Sequence, residues 1–190
     1  MRVITGSARG CRLKELEGME TRPTTDRVKE GLFNIIQFDI EGRRVLDLFA
    51  GTGQLGIECL SRGAASAVFV DRRGDAVKLI RENLKATRLS EKARVIPGDS
   101  MEFLTALREK FDLIFLDPPY EAGLLEPALE RITRFDILSP HGIIVAEHPA
   151  GRTLPAPAAP YRLHKTYRYG KIALSVFRRS GDEGNEETPI

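Results

Sequence analysis

Short apolar runs alternate with amphipathic segments along most of this chain. Five runs read as buried strands, namely RVLDLF, SAVFVD, ARVIPGD, FDLIFLD and GIIVAE. Strands that alternate with helices predict right-handed βαβ crossovers and a mostly parallel sheet. Near the end, YRLHKTYRYG and KIALSVFRR predict an antiparallel pair joined near Tyr169 and Gly170. We therefore predict an α/β fold with a seven-stranded, mostly parallel sheet.

The apolar spacing also divides the chain into three parts. Helices are predicted over residues 26–38, 54–62, 76–87, 100–110 and 125–135. Residues 1–22 predict a short basic hairpin or arm, residues 23–179 one α/β domain, and residues 180–190 an acidic tail without aromatic side chains. We expect that tail to be disordered, because it has little apolar surface to bury.

Composition narrows the class of protein. The chain has 190 residues, of which 42% are hydrophobic and 29% are charged, as expected of one ordinary globular domain. No apolar run approaches the roughly 18 residues of a membrane span, and MRVITGSARG has no apolar core of a secretory signal. We expect a cytoplasmic protein without a membrane association. No metal site is expected, because Cys11, Cys59, His141, His148 and His164 are scattered.

A glycine-rich segment follows the first predicted strand. In DLFAGTGQLG, Gly51, Gly53 and Gly56 match G-x-G-x-x-G between a strand and a helix, and Asp71 ends the second strand. Glycines let the backbone approach a ligand at a helix N-terminus, and an acid after the second strand can accept hydrogen bonds from ribose hydroxyls. The pattern fits a nicotinamide dinucleotide, and it fits S-adenosylmethionine, which has an adenosine but no pyrophosphate.

Two further acids favour S-adenosylmethionine. Asp47 precedes the glycines, where it would repel a pyrophosphate but attract the cationic amino-acid end of S-adenosylmethionine. Asp99 follows the third strand and could accept a hydrogen bond from the adenine amine. Each acid also has a structural explanation, since Asp99 could cap the following helix and Asp71 could be a solvated turn residue. Their placement after successive strands predicts a cofactor site comprising Asp47, Phe49, Gly51, Gly53, Asp71, Asp99 and Ser100.

The fourth strand ends abruptly in Asp-Pro-Pro-Tyr. Pro118 and Pro119 lack N–H donors and fix their φ angles, so the chain leaves the sheet in a stiff conformation that presents Asp117 and Tyr120 rigidly. An exocyclic nucleobase amine is a poor nucleophile, and hydrogen bonds to Asp117 and to the Pro118 carbonyl would orient it. Tyr120 could stack on the base, which is worth about 1–3 kcal/mol. A paired base would first be extruded. A strand-terminating turn is the alternative interpretation.

Two basic stretches could contact nucleic acid. Residues 1–14 and 161–179 carry arginines and lysines but no acid. Cations interleaved with tyrosines suit phosphates and bases, although a solvated strand face explains the second stretch equally well. The first stretch precedes RPTTDR directly, so we predict RNA-binding residues Arg9, Arg12, Arg22 and Arg27.

Together these motifs resemble those of RsmD-type methyltransferases, which modify guanine N2 of 16S ribosomal RNA. The resemblance covers about residues 1–180 and is carried by RPTTDRVKEGLFNII, VLDLFAGTGQLGIECLSRGA, NL at 83–84 and FDLIFLDPPYEAG, in this order. It implies a Rossmann-like class I methyltransferase that uses S-adenosylmethionine, with residues 23–179 as the catalytic domain. It further implies transfer of one methyl to guanine 966 in a largely assembled small ribosomal subunit. One departure is His148-Pro149, since acids commonly follow Glu147 in the family.

Other classes of protein remain as alternatives. A DNA adenine-N6 methyltransferase would usually need a target-recognition region, for which this chain has no room beyond its arm. A protein glutamine methyltransferase more often has Asn where Asp117 stands. A noncatalytic S-adenosylmethionine-binding protein would have little need for a rigid Asp and Tyr, and a nicotinamide oxidoreductase fits least well. We expect a monomer.

Overall fold

One seven-stranded sheet forms the centre of the molecule. The computed structural model describes residues 1–16 and 26–181, with the side chain of Asp26 left out. The strands are β1 Arg44–Asp47, β2 Ser66–Asp71, β3 Ala93–Pro97, β4 Phe111–Leu116, β5 Leu138–Pro149, β6 Tyr161–Tyr169 and β7 Ile172–Arg179. Their order across the sheet is β3-β2-β1-β4-β5-β7-β6. The first five are parallel, and β7 runs antiparallel to both β5 and β6.

Five α-helices cover the two faces of this sheet. They are α1 Asp26–Ile35, α2 Gln54–Ser61, α3 Gly74–Ala86, α4 Ser100–Ala106 and α5 Leu125–Arg134. Helices α1, α2 and α3 share one buried apolar cluster with the sheet, and α4 and α5 share the other. Both faces are therefore buried, which explains why the parallel strands read as continuous apolar runs. None of the helices in the described ranges is long and apolar enough to cross a membrane.

The predicted order of elements is confirmed, and the differences lie at their ends. Helix α4 ends at Ala106 and not at residue 110. Strand β5 begins at Leu138, four residues before the predicted GIIVAE. Its pairing with β4 shifts between Phe111 and Leu113, and His141 has a φ of +58°. The segment SPHG, which overlaps the start of the predicted strand at Gly142, is an irregular part of β5. Arg22 and residues 182–190 lie outside the described residues, so the predicted tail is untested.

The strand order determines where a ligand can bind. Strand β1 lies between β2 and β4: the chain moves from β1 through β2 to β3 on one side, then crosses back to add β4 and β5 on the other side of β1. In open α/β sheets, ligands bind outside the carboxyl ends of the strands at such a switch point. We call the ends of β1 to β5 and the loops that follow them the carboxyl edge. It contains Asp47, Asp71, Asp99 and Asp117.

The first sixteen residues fold back on themselves, and we call them the N-terminal arm; residues 17–22 of the predicted arm lie outside the described residues. Arg2 and Arg12 form an antiparallel bridge, and the N–H of Val3 donates to the carbonyl of Cys11 at 3.0 Å. Val3 and Leu13 are buried in the cluster beneath α1 and α2. The arm is thus part of the core and not a free extension.

Buried charges join the arm to the helices. The Glu58 carboxylate is fully buried and accepts hydrogen bonds from the N–H groups of Ile4 and Thr5 at 2.8 and 2.9 Å. It also forms salt bridges with Lys29 at 3.1 Å and with Arg62 at 2.9 Å. We call this group of Lys29, Glu58, Arg62 and the arm backbone the arm seam. It satisfies a buried carboxylate with four donors, as burial of a charge requires.

Candidate functional site

The turn after β1 is built by its three glycines. Gly51 and Gly53 have φ angles of +54° and +77°, which favour glycine because other residues rarely adopt them. A Cβ added at Gly51 would meet no atom within 4 Å, so this side of the turn is open. A Cβ added at Gly56 would lie 2.3 Å from the Phe69 ring, so this glycine allows α2 to pack closely on the sheet. The motif therefore places an open backbone turn at the N-terminus of α2.

Asp47 lies under this turn. Its side chain is 3% exposed and accepts a hydrogen bond from the N–H of Gly56 at 3.1 Å. Burial raises the pKa of Asp47 to about 7, and the nearby Asp71 adds to the increase. Among the described residues, Asp47 forms no salt bridge. A cationic group that entered the turn would favour its ionised form.

Asp71 and Asp99 lie at the ends of the next two strands. The two carboxylate oxygens of Asp71 accept from the N–H groups of Gly51 and Arg73 at 2.8 and 2.9 Å. Asp71 therefore fixes the glycine turn, and each of its oxygens keeps a second lone pair. One oxygen of Asp99 accepts from the N–H groups of Met101 and Glu102, so the predicted helix cap is real. Its other oxygen remains available for an adenine amine.

The remaining predicted cofactor residues are close by but are engaged differently. The Ser100 hydroxyl is buried and donates to the carbonyl of Leu48 at 2.7 Å, so it ties α4 to the end of β1. Phe49 is half-buried and packs against the cluster beneath α4 and α5. Sequence reasoning missed Gln54, whose Oε1 is buried without a hydrogen-bond donor among the described residues. An acceptor without a donor, next to an open turn, fits the ammonium end of S-adenosylmethionine.

The Asp-Pro-Pro-Tyr segment follows β4 at the same edge. Asp117 is half-buried and Pro118 is buried, whereas Pro119 is exposed. The Tyr120 hydroxyl donates to Oε1 of Glu147 at 2.9 Å. A pocket at this place is lined by prolines, Tyr120 and residues after β4 and β5, in full Pro118, Pro119, Tyr120, Leu124, Leu125, Glu147, His148 and Arg152. The structure thus brings the predicted catalytic segment to the same edge of the sheet as the predicted cofactor residues.

Sequence reasoning missed the back of this pocket. His148 is buried, and its ring nitrogens contact Ser175 Oγ at 2.8 Å and the carbonyl of Pro149 at 3.0 Å. Burial lowers the pKa of His148, so the ring is neutral near pH 7. Arg152 forms a salt bridge with Glu126 at 2.5 Å. The signal available in the sequence was an acid, Glu147, at the end of an apolar strand.

The predicted RNA-binding residues are spread more widely. Arg9, Arg12 and Arg27 are exposed, and Arg22 lies outside the described residues. The turn that carries Arg9 is held against Ser61 at the last residue of α2, through the N–H groups of Ser7 and Ala8. Because α2 begins at the glycine turn and is about 12 Å long, Arg9 lies at the far end of that helix from the carboxyl edge.

The fold and the site define the class of this protein. A sheet with this strand order, a glycine turn above a buried acid, and acids after β2 and β3 are the features of a Rossmann-like methyltransferase that uses S-adenosylmethionine. The predicted fold class and the predicted cofactor are confirmed.

Comparisons with known proteins identify the family. The profile of the family described as Conserved hypothetical protein 95 matches residues 1–178. The Bacillus subtilis protein YlbH is 41% identical over 95% of this chain and 100% of its own length. Ribosomal RNA small subunit methyltransferase D of Escherichia coli is 35% identical over 94% of this chain and 90% of its own. The solved structure of yhhF from Escherichia coli is 34% identical, with a TM-score of 0.85, and covers 94% of this chain and 97% of that chain.

The chain belongs to this family. The resemblance to RsmD-type methyltransferases, based on the sequence motifs, is thereby confirmed, and so is the assignment as a methyltransferase.

Proposed function

We propose that this protein transfers a methyl group from S-adenosylmethionine to the N2 amine of guanine 966 in 16S ribosomal RNA. The observation that carries the proposal is the shared edge of the sheet. The glycine turn with Asp47, Asp71 and Asp99 lies after β1 to β3, and Asp117 to Tyr120 follow the neighbouring β4. A methyl donor over the first three strands would face an acceptor at the fourth. The name of the Escherichia coli relative supports ribosomal RNA as the substrate.

The cofactor residues have separate tasks in this proposal. Asp71 accepts hydrogen bonds from the ribose hydroxyls, Asp99 accepts one from the adenine amine, and Asp47 attracts the ammonium end. Gly51 and Gly53 leave room for the ligand beside the backbone, Phe49 contributes apolar surface, and Ser100 supports the edge. Bound S-adenosylmethionine supplies an electrophilic methyl on a sulfonium. The chain itself binds and orients the reactants.

The catalytic residues hold the acceptor. The Asp117 carboxylate and the Pro118 carbonyl accept hydrogen bonds from the two N2 hydrogens, which directs the nitrogen lone pair towards the methyl. Asp117 also stabilises the positive charge that develops on N2, and Tyr120 stacks on the base. Pro119 helps to keep this segment rigid. Positioning and charge stabilisation account for such a reaction without a covalent intermediate on the protein.

The direct test uses small ribosomal subunits that lack the modification. The protein is incubated with these subunits and S-adenosylmethionine, and nucleosides from the 16S RNA are analysed by mass spectrometry. We expect N2-methylguanosine at position 966. Methyladenosine or methylated protein in place of N2-methylguanosine would replace the proposal by one of the alternative methyltransferase classes.

Replacement of Asp117 tests the mechanism. Asp117→Ala should lower the single-turnover rate by about 10²–10³-fold, the usual loss when a group that stabilises developing charge is removed. Its affinity for S-adenosylmethionine should stay unchanged. Asp112→Ala, at the start of the same strand, is the control and should react like the wild type. Tyr120→Phe should be milder than Tyr120→Ala, because stacking survives loss of the hydroxyl. A near-normal rate for Asp117→Ala would contradict the amine-orienting role.

The proposal also includes the setting of the reaction. We infer that the substrate is an assembling or assembled small subunit in the cytoplasm, and that the protein acts as a monomer without a metal. The sequence-based assignment of RNA phosphates to Arg9, Arg12, Arg22 and Arg27 stays a prediction, and Arg168 and Lys171 near the carboxyl edge are the competing candidates. Sedimentation of the protein alone and with subunits tests the stoichiometry.

A further inference from the structure

Asn83 is a buried polar residue that the proposed mechanism does not use. It lies in α3, is only 1% exposed, and belongs to the NL pair that carries part of the family resemblance. Its Oδ1 accepts a hydrogen bond from the N–H of Lys14 at 2.8 Å. Its Nδ2 donates to the carbonyls of Lys14 and Thr52 at 3.2 and 3.0 Å. One amide group therefore joins α3 to the N-terminal arm and to the glycine turn.

The arm fixes the orientation of this amide. Lys14 presents both its N–H and its carbonyl to the Asn83 side chain, so the amide meets one donor and one acceptor on the arm. A flipped amide would set Nδ2 against the N–H of Lys14 and Oδ1 against two carbonyls. Only the observed orientation satisfies these groups, and it directs an N–H of Asn83 at the carbonyl of Thr52.

Thr52 lies between the two glycines that give the turn its shape. Gly51 and Gly53 have positive φ angles, and glycine loses more conformational freedom on folding than any other residue. A turn with two such residues depends on contacts that hold it in one conformation. Asp71 holds the N–H of Gly51 at 2.8 Å, and Asn83 holds the carbonyl of Thr52, the next residue.

We propose that Asn83 is a positioning residue for the cofactor, which holds the glycine turn in the shape that receives S-adenosylmethionine, with the arm as its support. This inference rests on the proposed function, because the turn that Asn83 holds is the one assigned to the cofactor. A turn that already has its bound shape loses less conformational freedom when the ligand binds, and affinity is higher for that reason. Because Asn83 is buried, it acts through Thr52 and not by contact with the ligand.

The test measures how Asn83→Ala binds S-adenosylmethionine, by calorimetry at a temperature at which circular dichroism shows the variant to be folded. The dissociation constant should rise roughly 3- to 10-fold, the factor that corresponds to one net hydrogen bond. Steady-state kinetics with small ribosomal subunits should show a higher KM for S-adenosylmethionine and a nearly unchanged kcat, because Asp117 and Tyr120 are unaltered.

Ser61→Ala is the matched control, because it also breaks a buried polar contact between the arm and a helix. The Ser61 hydroxyl accepts from the N–H of Ala8 at 2.9 Å and donates to the carbonyl of Thr5 at 2.6 Å. It lies at the end of α2 that is far from the glycine turn. Ser61→Ala should therefore lose stability, as Asn83→Ala does, but bind S-adenosylmethionine with wild-type affinity.

Two results would overturn the proposal. Wild-type affinity in folded Asn83→Ala would mean that this residue only stabilises the fold. An equal loss of affinity in Asn83→Ala and Ser61→Ala would mean that any loosening of the arm weakens binding. Asn83→Ser replaces Asn83→Ala if the alanine variant does not fold, since its hydroxyl ends one bond short of the amide nitrogen and the same loss of affinity is expected.

Failure of this inference is separable from failure of the proposed function. Wild-type protein that methylates guanine 966, combined with an Asn83→Ala variant of unaltered affinity, contradicts only the role of Asn83. Wild-type protein that binds S-adenosylmethionine but does not methylate guanine 966 contradicts the proposed function, while the affinities of the two variants still decide the role of Asn83. Wild-type protein that does not bind S-adenosylmethionine overturns both.

Discussion

The arm seam and the carboxyl edge both bury acids, but they satisfy them in different ways. At the arm seam, Glu58 is surrounded by Lys29, Arg62 and two backbone N–H groups. At the carboxyl edge, Asp47 is almost equally buried but receives a backbone N–H from Gly56 and, among the described residues, no salt bridge. The first acid is compensated within the fold. We propose that the second is compensated when a cationic ligand binds, which would be the difference between a structural and a functional carboxylate.

The largest expected effect is a loss of folding stability when the arm seam is broken. Glu58→Ala removes the carboxylate that forms a salt bridge with the buried Lys29 and accepts from the arm backbone, so the free energy of unfolding should fall by about 3–5 kcal/mol. Urea unfolding followed by circular dichroism measures the change. Glu82→Ala is the control, since its exposed ion pair with Lys14 also joins the arm to a helix and should contribute little. If Glu58→Ala and Glu82→Ala lower the free energy of unfolding equally, the buried arm seam stabilises the fold no more than an exposed ion pair does.

A smaller effect, on binding and not on folding, is expected at Asp71. Asp71→Ala removes the proposed ribose acceptor and the contact to Gly51, so affinity for S-adenosylmethionine should fall by about 1–3 kcal/mol. Calorimetry measures the loss. Asp75→Ala alters an exposed acid in the first turn of α3, and this variant should bind S-adenosylmethionine normally. Unaltered affinity in Asp71→Ala would remove this residue from the proposed site.

The raised pKa of Asp47 predicts a pH dependence with a definite sign. The folded-state pKa of about 7 exceeds the unfolded value of about 4, so the stability that Asp47 contributes is present below pH 4 and lost as pH rises towards 7. An ammonium ligand favours the ionised form. Affinity for S-adenosylmethionine should therefore weaken by up to about tenfold per pH unit below 7.

Asp47→Asn isolates this effect. Calorimetry from pH 5.5 to 8 should show a steep affinity curve for wild-type protein and a flatter one for the variant. Parallel curves for the two proteins would assign the pH dependence to another group. In that case ligand binding would not compensate the charge of Asp47, and the inferred contrast with Glu58 would be wrong.

The smallest expected effect is on RNA binding and concerns exposed cations near each of the two regions. Arg9 lies beyond the seam, at the far end of α2, whereas Arg168 and Lys171 flank the exposed turn between β6 and β7. That turn is at the carboxyl edge, because Ile172 pairs with Pro149. We therefore expect Arg168→Ala/Lys171→Ala to reduce the salt dependence of RNA binding more than Arg9→Ala/Arg12→Ala does.

The slope of log K against log salt is negative, and each lost phosphate contact should reduce its magnitude by roughly 0.7. Filter binding to 16S RNA at several salt concentrations measures the slopes of both double variants. A reduced slope only for Arg9→Ala/Arg12→Ala would support the prediction made from the sequence and return the RNA to the arm.

Features that depend on a few neighbouring residues were predictable from the sequence. The strand SAVFVD and the glycine turn were located correctly, because apolar runs and glycines act over a few residues. The start of β5 was misplaced, because SPHG carries turn residues and is an irregularity between Leu138 and Ile143, the two residues on either side that pair with β4. The cap made by Asp99 was foreseen as an alternative, since a cap depends on adjacent residues.

The sequence by itself determined the order of strands and helices and the chemistry that each strand end carries, including Asp47, Asp71 and Asp117. The tertiary structure alone decided which of these groups meet. It joined Tyr120 after β4 to Glu147 on β5 by a hydrogen bond, and it gave Glu58 two cations while Asp47 received a backbone N–H. The physical reason is that burial, pKa and pairing depend on distances between residues far apart in the chain, which the packing of the sheet and its helices fixes.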